Sequence, residues 1–524
     1  MTRTRSLSGW ALATLLAIAL AAAAWPDAER TWGLVANSAR LVAITCAIAV
    51  PLGTTLAFLL TRTDLPGRQT LFVALAWLLF VPLYVQVGAW QAGFGQQGWQ
   101  TLFGFGRPWL VGWQGAIWVH TAAAIPWVAI IVGFGLRATP PEYEEQALLD
   151  ASPLRVFFRV TLRQAAPLVV TAALWIAITT AGEIAVTDQF QNRTYAEELY
   201  TQVAQGATLP DLVSRLAPGV ALTAWLVFAA MALISRVAPD DRQSSPRPPL
   251  VFPLGAARWP AALLVVAFFA LLVGLPLANL LWKCGVQVRL SDEGRVRTWS
   301  LVKCAEIIGV SPYRYGAETL HSLVVGATAA TAAVLTGGLF AWRARTSRAV
   351  ALLLLVFAAV CLAIPGPIIG LGEIAILNQP NVPLTQYIYD HPIFAPAIAQ
   401  FLRAFPPVAF VLWYALRTIP AELSEAAALD GAGPLATLFG LILPQRWRMI
   451  LAAWLIGLAV AVGDLGATVL VTPPGTEPLS VRVSALLHFG VEDQVAGICL
   501  SLGACLAAAG FVASALIRRV RPGP

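Results

Sequence analysis

The two lysines of the chain, Lys283 and Lys303, are the residues that a phosphate-binding loop would have to use. Such a loop needs a glycine-rich turn, then Lys, then Ser or Thr, so that amides and an ammonium group surround the phosphates. Each lysine is instead followed by a cysteine, Cys284 or Cys304, and neither follows a glycine. The four histidines are far apart in sequence, and the six cysteines form no CxxC or Cys/His pattern. We therefore predict no nucleotide site, no metal site and no catalytic centre on this chain, which is not expected to be an enzyme.

Two polar segments carry the residues best suited to function. Residues 124–150 and 404–430 match when the chain is aligned with itself at an offset of 280, and they include the start of two polar loops, 137–167 (the first loop) and 417–449 (the second loop). Matched Ala, Val and Leu follow from an apolar composition, but matched acids in register do not. A helix that only lies on a membrane needs no more than amphipathicity, so matched acidic loops favour a protein partner that docks twice. The matched site residues are Glu142 and Glu422, Glu145 and Glu425, Ala147 and Ala427, and Asp150 and Asp430.

Each loop predicts a short helix, a break and an amphipathic helix. In the first loop, Thr139 is the expected N-cap, Pro140 opens the first turn, and Glu142 stands three residues after the cap. The helix is expected to run to about Asp150, and Pro153 breaks it. Apolar residues then recur at helical spacing. They are Leu154, Phe157, Phe158, Thr161 and Leu162 in the first loop, and Leu435, Leu438, Phe439, Ile442 and Leu443 in the second.

The elements that must position these loops are membrane helices. The chain of 524 residues is 58% hydrophobic and 12% charged, whereas about a quarter of the residues of a soluble globular chain are charged. Its mean hydropathy is +0.73, which a water-bounded core cannot accommodate. Only helices or closed barrels satisfy their backbones in lipid, and we find no alternation at period two. We therefore predict an all-α integral membrane protein. The net charge of +7 is scattered over short loops, which argues against nucleic acid as a partner.

Apolar runs of spanning length recur about twelve times, each near the roughly 20 residues that a helix needs to cross a bilayer. The first run resembles a signal peptide, but we expect it to stay uncleaved because further spans follow. Arginines in alternate short loops place both termini and both loops in the cytoplasm. The predicted spans are 9–25, 33–60, 70–92, 112–136, 168–188, 216–235, 260–282, 317–341, 349–377, 396–416, 450–472 and 495–517.

A polar, proline-rich linker at 239–258 divides the chain nearly in half. We predict a first six-span repeat at 1–238 and a second at 259–524. Each repeat places its loop between its fourth and fifth spans, so the two repeats have the same orientation in the membrane.

The two loops resemble the EAA loop of binding-protein-dependent ABC importer permeases. The resemblance rests on Glu145-Gln146-Ala147 with Asp150, and on Glu425-Ala426-Ala427 with Asp430 and Gly431. The second loop follows the family pattern through Gly431 and Leu443-Pro444. The first departs from it, because Gln146 replaces Ala, the glycine is missing and Arg163 stands in place of Pro.

This resemblance implies two fused type I permease repeats that carry a solute across the bacterial inner membrane. It implies docking of two copies of a cytoplasmic ABC ATPase, which bind the ATP and Mg²⁺, and of a periplasmic solute-binding protein. The fused layout resembles that of ferric-iron importers, and less closely that of thiamine, phosphonate or sulfate/molybdate importers, and the runs 463–468 and 473–482 look most like the iron and phosphonate branch. A secondary transporter also uses twelve spans and parallel repeats, but it needs coupling carboxylates near the midplane. A membrane enzyme or scaffold would need a reactive cluster.

Charged residues inside the spans are candidates for the solute pathway. Glu183 and Asp464 are matched acids that follow Gly182 and Gly463. Lining or gating the pathway and ending a helix in water are both open interpretations. Glu373 and Arg403 lack charged counterparts, and they either pair with each other or line the pathway. Helix kinks are expected at Pro82, Pro365, Pro126 and Pro406, and a disulfide between Cys284 and Cys304 is an open alternative to free thiols.

Overall fold

The computed structural model describes residues 28–102, 104, 106–208, 224, 248–291, 294–379, 381–417, 419 and 421–504. The predicted span 9–25, the predicted span 216–235 apart from residue 224, residues 239–247 of the linker and residues 505–517 of the last span lie outside these residues. Within the described part, seven helices are long and apolar enough to cross a membrane, and two bent helix pairs raise the number to nine. The chain is therefore an all-α membrane protein, as its composition predicts.

The described part of the first half is helical from Ala28 onward. A π-helical turn at Phe157–Thr161 joins two helices without a break, so Pro153–Ala181 forms one span. The helices are α1 (Ala28–Arg62), α2 (Arg68–Leu78), α3 (Leu83–Phe94), α4 (Trp99–Leu102), α5 (Gly112–Arg137), α6 (Pro141–Leu148), α7 (Pro153–Val156), α8 (Leu162–Ala181), α9 (Ala185–Gln189) and α10 (Tyr195–Ala204).

The second half follows the same succession after an additional hairpin and helix. π-Helical turns occur at Ala270–Gly274 and Leu438–Ile442, and a 3-10 turn at Gly255–Ala257. The elements are α11 (Arg258–Phe269), α12 (Leu275–Gly285), β1 (Val286–Ser291), β2 (Gly294–Trp299), α13 (Leu301–Arg314), α14 (Gly316–Ala344), α15 (Arg348–Ala363), α16 (Gly366–Leu377), α17 (Pro383–Asp390), α18 (Phe394–Arg417), α19 (Ala421–Leu429), α20 (Pro434–Thr437), α21 (Leu443–Gly463), α22 (Thr468–Val471) and α23 (Leu479–His488), with a helical run at 492–504.

Equivalent three-helix bundles form the core of each half. Helices α1, α5 and α8 pack together in the first half, as α14, α18 and α21 do in the second. Gly53 and Gly337 hold equivalent places in these bundles. A Cβ on Gly53 would lie 2.6 Å from the Cβ of Val128, and one on Gly337 would lie 3.2 Å from the Cα of Ala409. Small residues at both positions therefore let the helices approach closely, as is usual between membrane helices.

A serine on the first long helix of each bundle accepts the same hydrogen bond. The backbone N–H of Tyr195, the first residue of α10, donates to Ser38 Oγ at 2.9 Å. The backbone N–H of Leu479, the first residue of α23, donates to Ser322 Oγ at 2.6 Å. The bonds satisfy an otherwise unpaired N–H at each helix start, and they fix α10 to α1 and α23 to α14.

The predicted spans 70–92 and 349–377 are each bent rather than continuous. Helices α2 and α3 meet at 100°, and α15 and α16 meet at 106°. Pro82 and Pro365 are the N-cap residues of the second member of each pair, where a missing N–H costs no helical hydrogen bond. The predicted interruption at these prolines is confirmed. Pro126 and Pro406 lie instead inside the continuous helices α5 and α18.

The segment 283–315 departs from two expectations. Strands β1 and β2 form an antiparallel hairpin, with Val286 paired to Trp299. The statement that no segment alternates at period two is therefore wrong here, because Val286, Val288 and Leu290 alternate with polar residues. Cys284 and Cys304 lie in α12 and α13 and are buried, free thiols, so the disulfide considered from the sequence is not formed.

Candidate functional site

The start of the first loop differs from the predicted capping box. Helix α6 begins at Pro141, one residue later than expected, so Pro140 holds the N-cap position and offers no side-chain acceptor. Thr139, the predicted cap, is buried, and its hydroxyl has no hydrogen-bond partner among the described residues. The two consecutive prolines shift the helix start, because neither donates a backbone N–H.

The predicted site residues of the first loop lie at or near its surface. Glu145 and Asp150 are exposed, and Glu142 and Ala147 are partly exposed. Helix α6 ends at Leu148, and the N–H of Asp150 donates to the carbonyl of Ala147 at 3.3 Å. This is a tight final turn without a left-handed residue.

The second loop ends its helix in a different way. Gly431 has a φ of +80°, the left-handed conformation that favours glycine. The N–H groups of Gly431 and Ala432 donate to the carbonyls of Ala428 and Ala427 at 3.0 and 2.9 Å, which is the Schellman pattern. Here too the acids are at the surface. Glu422, Glu425 and Asp430 are exposed, and Ala427 is partly exposed.

Both loops also expose large apolar side chains at equivalent positions. Leu149 and Leu429 are 85% and 90% exposed, and Leu154 and Leu435 are 68% and 61% exposed. Phe158 and Phe439 are each 62% exposed. Exposed apolar side chains in contiguous patches are typical of interaction sites. Each loop thus combines acidic and apolar residues on one accessible surface.

The predicted amphipathic helices divide their apolar residues between two faces. Phe157 and Thr161 are buried in the first loop, as are Leu438 and Ile442 in the second, while Phe158 and Phe439 point outward. A π-helical turn occupies this stretch in both loops, at Phe157–Thr161 and Leu438–Ile442. The buried and the exposed face of each segment are therefore determined within a π-helical turn, which contains one residue more than a turn of regular α-helix.

A buried ion pair fixes the first loop from inside, and sequence reasoning missed it. Arg62 at the end of α1 bonds to Glu144 in α6, and both side chains are 0% exposed. Arg62 also donates to the carbonyl of Leu136 at 2.7 Å, and Thr161 donates to the other oxygen of Glu144 at 2.6 Å. The only sequence signal was a charged residue at the end of a span, and Ser424 stands at the place of Glu144 in the second loop.

A cavity of about 520 Å³ opens beside the first loop, lined by Tyr143, Arg159, Val160, Arg163 and Gln164. Gly440 and Pro444 occupy the equivalents of its two arginines in the second loop. The departure of Arg163 from the family pattern therefore changes the charge of the surface beside α6.

The matched acids Glu183 and Asp464 both begin short helices. Glu183 accepts from the N–H groups of Ala185 and Val186 at 2.6 and 2.9 Å. Asp464 accepts from the N–H groups of Ala467 and Thr468 at 3.2 and 3.1 Å. Each carboxylate satisfies free amides at a helix start, where negative charge is favoured. Both acids therefore have a structural part in the fold of their own half.

Arg403 pairs with Asp464 and not with Glu373. Its Nε lies 3.6 Å from Asp464 Oδ1, and its Nη2 lies 3.9 Å from the position of a Cβ on Gly182. Arg403 therefore reaches the junction between the halves and interacts electrostatically with Glu183. Glu373 is 6% exposed, and neither of its carboxylate oxygens has a hydrogen-bond partner in the described residues.

His120 is a buried neighbour of this charged group. Its Nε2 lies 3.7 Å from Glu183 Oε2, and its residue is 4% exposed. Gln400 stands at the equivalent place in α18 and donates to Thr468 at 3.4 Å. The sequence signal that could have identified this position was a polar residue at the same aligned place in both halves, His120 and Gln400. Within the described residues, no group of three or more His, Cys, Asp or Glu side chains is arranged to hold a metal ion.

Comparison with known proteins places these features in context. Residues 333–523 match the family described as binding-protein-dependent transport system inner membrane component. The matched range is less than half of the chain and contains the second loop, Asp464, Glu373 and Arg403.

Two curated relatives are permease proteins of Escherichia coli strain K12. The putrescine transport system permease protein PotI is 29% identical over 112 residues, which are 21% of this chain and 40% of PotI. The molybdenum transport system permease protein ModB is 24% identical over 217 residues, which are 39% of this chain and 95% of ModB. The chain thus spans two fifths of the length of PotI. Family match and relatives together support an ABC importer permease.

Proposed function

We propose that the chain is the membrane-spanning permease of an ABC importer and that it consists of two fused repeats, 1–238 and 259–524, joined by the linker 239–258. The observation that carries this proposal is the pair of equivalent loops. Each presents exposed acids and three exposed apolar side chains at the end of the same bundle helix. A motor protein that docks twice needs two such surfaces, and a chain without a phosphate-binding loop needs an external source of ATP hydrolysis.

The two loops are the docking surfaces for two copies of a cytoplasmic ABC ATPase. In the first loop, Glu142, Glu145, Ala147 and Asp150 contact one copy; in the second, Glu422, Glu425, Ala427, Asp430 and Gly431 contact the other. Partly buried charge pairs at such contacts give specificity, and apolar anchors give most of the affinity. The chain lies in the bacterial inner membrane with both termini cytoplasmic, and a periplasmic solute-binding protein delivers the solute.

The solute pathway lies between the two halves, near the charged group of Glu183, Asp464 and Arg403. Arg403 reaches from α18 toward the short helix of the first half, so it contacts both sides of the junction. Glu373, which is buried with no hydrogen-bond partner among the described residues, is the fourth pathway candidate. Intramembrane charges of this kind are commonly functional.

Ferric iron, predicted from the runs 463–468 and 473–482, has no support among the two relatives described above. Their names refer to putrescine, a dication, and to molybdenum. The solute is therefore proposed only as a small ion that a binding protein delivers, and ferric iron, putrescine and molybdate are the species to compare.

The test is purification of the affinity-tagged chain from membranes of its native host in mild detergent. We expect an ABC ATPase subunit to co-purify at two copies per chain. The complex, in proteoliposomes with periplasmic extract, should take up one of the three labelled solutes only when ATP is enclosed.

Replacing Glu306, an exposed acid on α13 outside both loops, by Gln provides a control that should change neither result. Uptake that follows an imposed ion gradient without ATP hydrolysis would refute the proposal and favour a secondary transporter.

A further inference from the structure

The buried ion pair of Arg62 and Glu144 joins four separate elements at one point. Arg62 is the last residue of α1, and Glu144 lies in the middle of α6. The guanidinium also holds the carbonyl of Leu136 near the end of α5, at 2.7 Å. The second carboxylate oxygen accepts from Thr161 in the π-helical turn, at 2.6 Å. The short helix of the first loop is thus bonded directly to α1, and not only through the loop that follows α5.

Residues near the end of the linker attach to the same place. Phe252 donates its N–H to the carbonyl of Arg62 at 2.7 Å, and its ring lies 5.7 Å from the guanidinium carbon. The N–H of Leu254 donates to Asp64 Oδ1 at 2.9 Å. The end of the linker therefore contacts the end of α1, beside the buried pair. Any movement of Arg62 is passed to a segment that leads directly into α11.

The second loop lacks this connection. Ser424 replaces Glu144, Ile442 replaces Thr161, and the chain near Thr346, the counterpart of Arg62, has left its helix and is exposed. Leu438 and Ile442 pack instead into an apolar cluster with Leu416 and Ile419. Apolar packing is non-directional, whereas a fully buried, hydrogen-bonded ion pair has one defined geometry.

We propose that Arg62 and Glu144 are positioning residues that transmit ATP-driven movement of the first loop to α1 and to the linker segment at 252–254. This inference rests on the proposed function. The first loop is then held rigidly on α1 by a buried ion pair, whereas Leu438 and Ile442 of the second loop pack into an apolar cluster. The pair touches neither solute nor nucleotide, so its effect must appear in how much transport each hydrolysed ATP produces.

The experiment measures solute imported per ATP hydrolysed by the purified complex in proteoliposomes. Labelled putrescine, molybdate and ferric iron are offered in parallel. Glu144→Gln leaves an unpaired buried guanidinium, and we expect the ratio to fall about tenfold, the scale of typical couplings between sites. ATPase co-purification should persist, because Glu145 and the exposed apolar residues are untouched. Glu306→Gln, the same substitution at an exposed acid on α13, should leave the ratio unchanged.

A second variant separates transmission from stability. Replacing the pair by Arg62→Met with Glu144→Leu removes both charges together, and buried pairs so replaced usually keep or gain stability. We expect this double variant to accumulate normally in the membrane and still to show the low ratio. Recovery of the wild-type ratio would mean that the pair serves only stability and would overturn the inference, as would failure of both variants to accumulate.

The outcomes for the inference and for the proposed function are distinct. A wild-type complex without ATP-dependent uptake refutes the permease function itself. A wild-type complex that imports normally, together with a Glu144→Gln variant of unchanged ratio, refutes only the transmission through Arg62.

Discussion

In the first loop, a buried ion pair fixes α6 to the end of α1. In the second loop, apolar packing holds the segment after α19, and α19 itself ends at Gly431 in the left-handed conformation. The exposed residues are nevertheless the same in both, with Leu149, Leu154 and Phe158 matched by Leu429, Leu435 and Phe439. The outward surface is thus duplicated while the inward attachment differs. A shared partner therefore constrains the exposed surface of both loops, whereas each half attaches its loop to the membrane helices in its own way.

The largest effect is expected in the second loop, which keeps the full family pattern. Glu425→Arg reverses the charge of an exposed acid at the proposed ATPase contact. We expect ATP-dependent uptake to fall about a hundredfold, because charge reversal at a close interfacial pair costs several kcal/mol. Uptake by purified complex in proteoliposomes measures it, with membrane content checked by immunoblot. Normal uptake with the ATPase still bound would contradict the docking role of Glu425.

A smaller effect is expected at Gly431, which shapes the second loop without contacting the ion pair. Gly431→Val forces a β-branched residue to φ +80°, at a cost of about 1–2 kcal/mol for leaving the favoured regions. We expect uptake to fall about tenfold through a displaced helix end. Gly490→Val, at a φ of +70° in the turn after α23, is the matched control for left-handed strain outside the loops. Equal losses in both variants would assign the effect to folding.

Glu145→Arg in the first loop should be less harmful than the matched change at Glu425. The first loop departs from the family pattern at Gln146 and Arg163, and we expect a loss of about threefold, the value of an exposed charge contact. The same uptake assay, run beside Glu425→Arg, gives the ratio of the two losses. A loss at Glu145 equal to or greater than that at Glu425 would refute the difference in strength between the loops.

The smallest effect concerns a contact between the halves, His488 Nε2 to Asp188 Oδ2 at 3.1 Å. The hydrogen bond to Asp188 raises the pKa of His488 to about 9, above the ordinary histidine value of about 6.5. The ion pair therefore contributes its full stabilisation below pH 6.5. This contribution decreases as the pH rises and is lost above pH 9. The pair is half-exposed, so the change is small.

Thermal unfolding of the detergent-purified chain between pH 6 and 10 measures this contribution. Wild type should lose its advantage over His488→Gln as the pH rises through 9, and Asp188→Asn should remove the same pH-dependent difference. A difference that persists at pH 10 would show that His488 acts through packing instead.

Much of the fold could be predicted from the sequence, because hydropathy and proline act locally. Apolar runs gave most of the described spans, and Pro82 and Pro365 gave the positions of the bends. The 100° and 106° angles could not be read, since they depend on what each second segment packs against. Helix α6 was placed to within two residues, but its cap was not, because two adjacent prolines leave the starting residue undefined.

The interior of the site could not be predicted in the same way. Arg62 and Glu144 are 82 residues apart, and nothing local marks them as partners. Pairing with Glu373 and lining the pathway were both open for Arg403, and it pairs instead with Asp464, because α18 packs against α22 and the residues before it. His120 was missed because one histidine aligned with one glutamine, His120 with Gln400, is a weak pattern within two long apolar runs. The docking role of the exposed acids in the two loops remains a prediction from the repeat, and the matched exposed apolar residues beside them support it.

The serine contacts of the fold have a consequence for how the two copies have diverged. Ser38 to Tyr195 and Ser322 to Leu479 each span 157 positions. Between Ser38 and Glu145 there are 107 positions, against 103 between Ser322 and Glu425, and the remaining intervals are 50 and 54. Four residues lost on one side of the loop are thus regained on the other. Each half therefore has the same number of residues between the serine and the amide that donates to it. Insertions and deletions in the turns of each half compensate one another, so the contact between the serine and the helix start is kept.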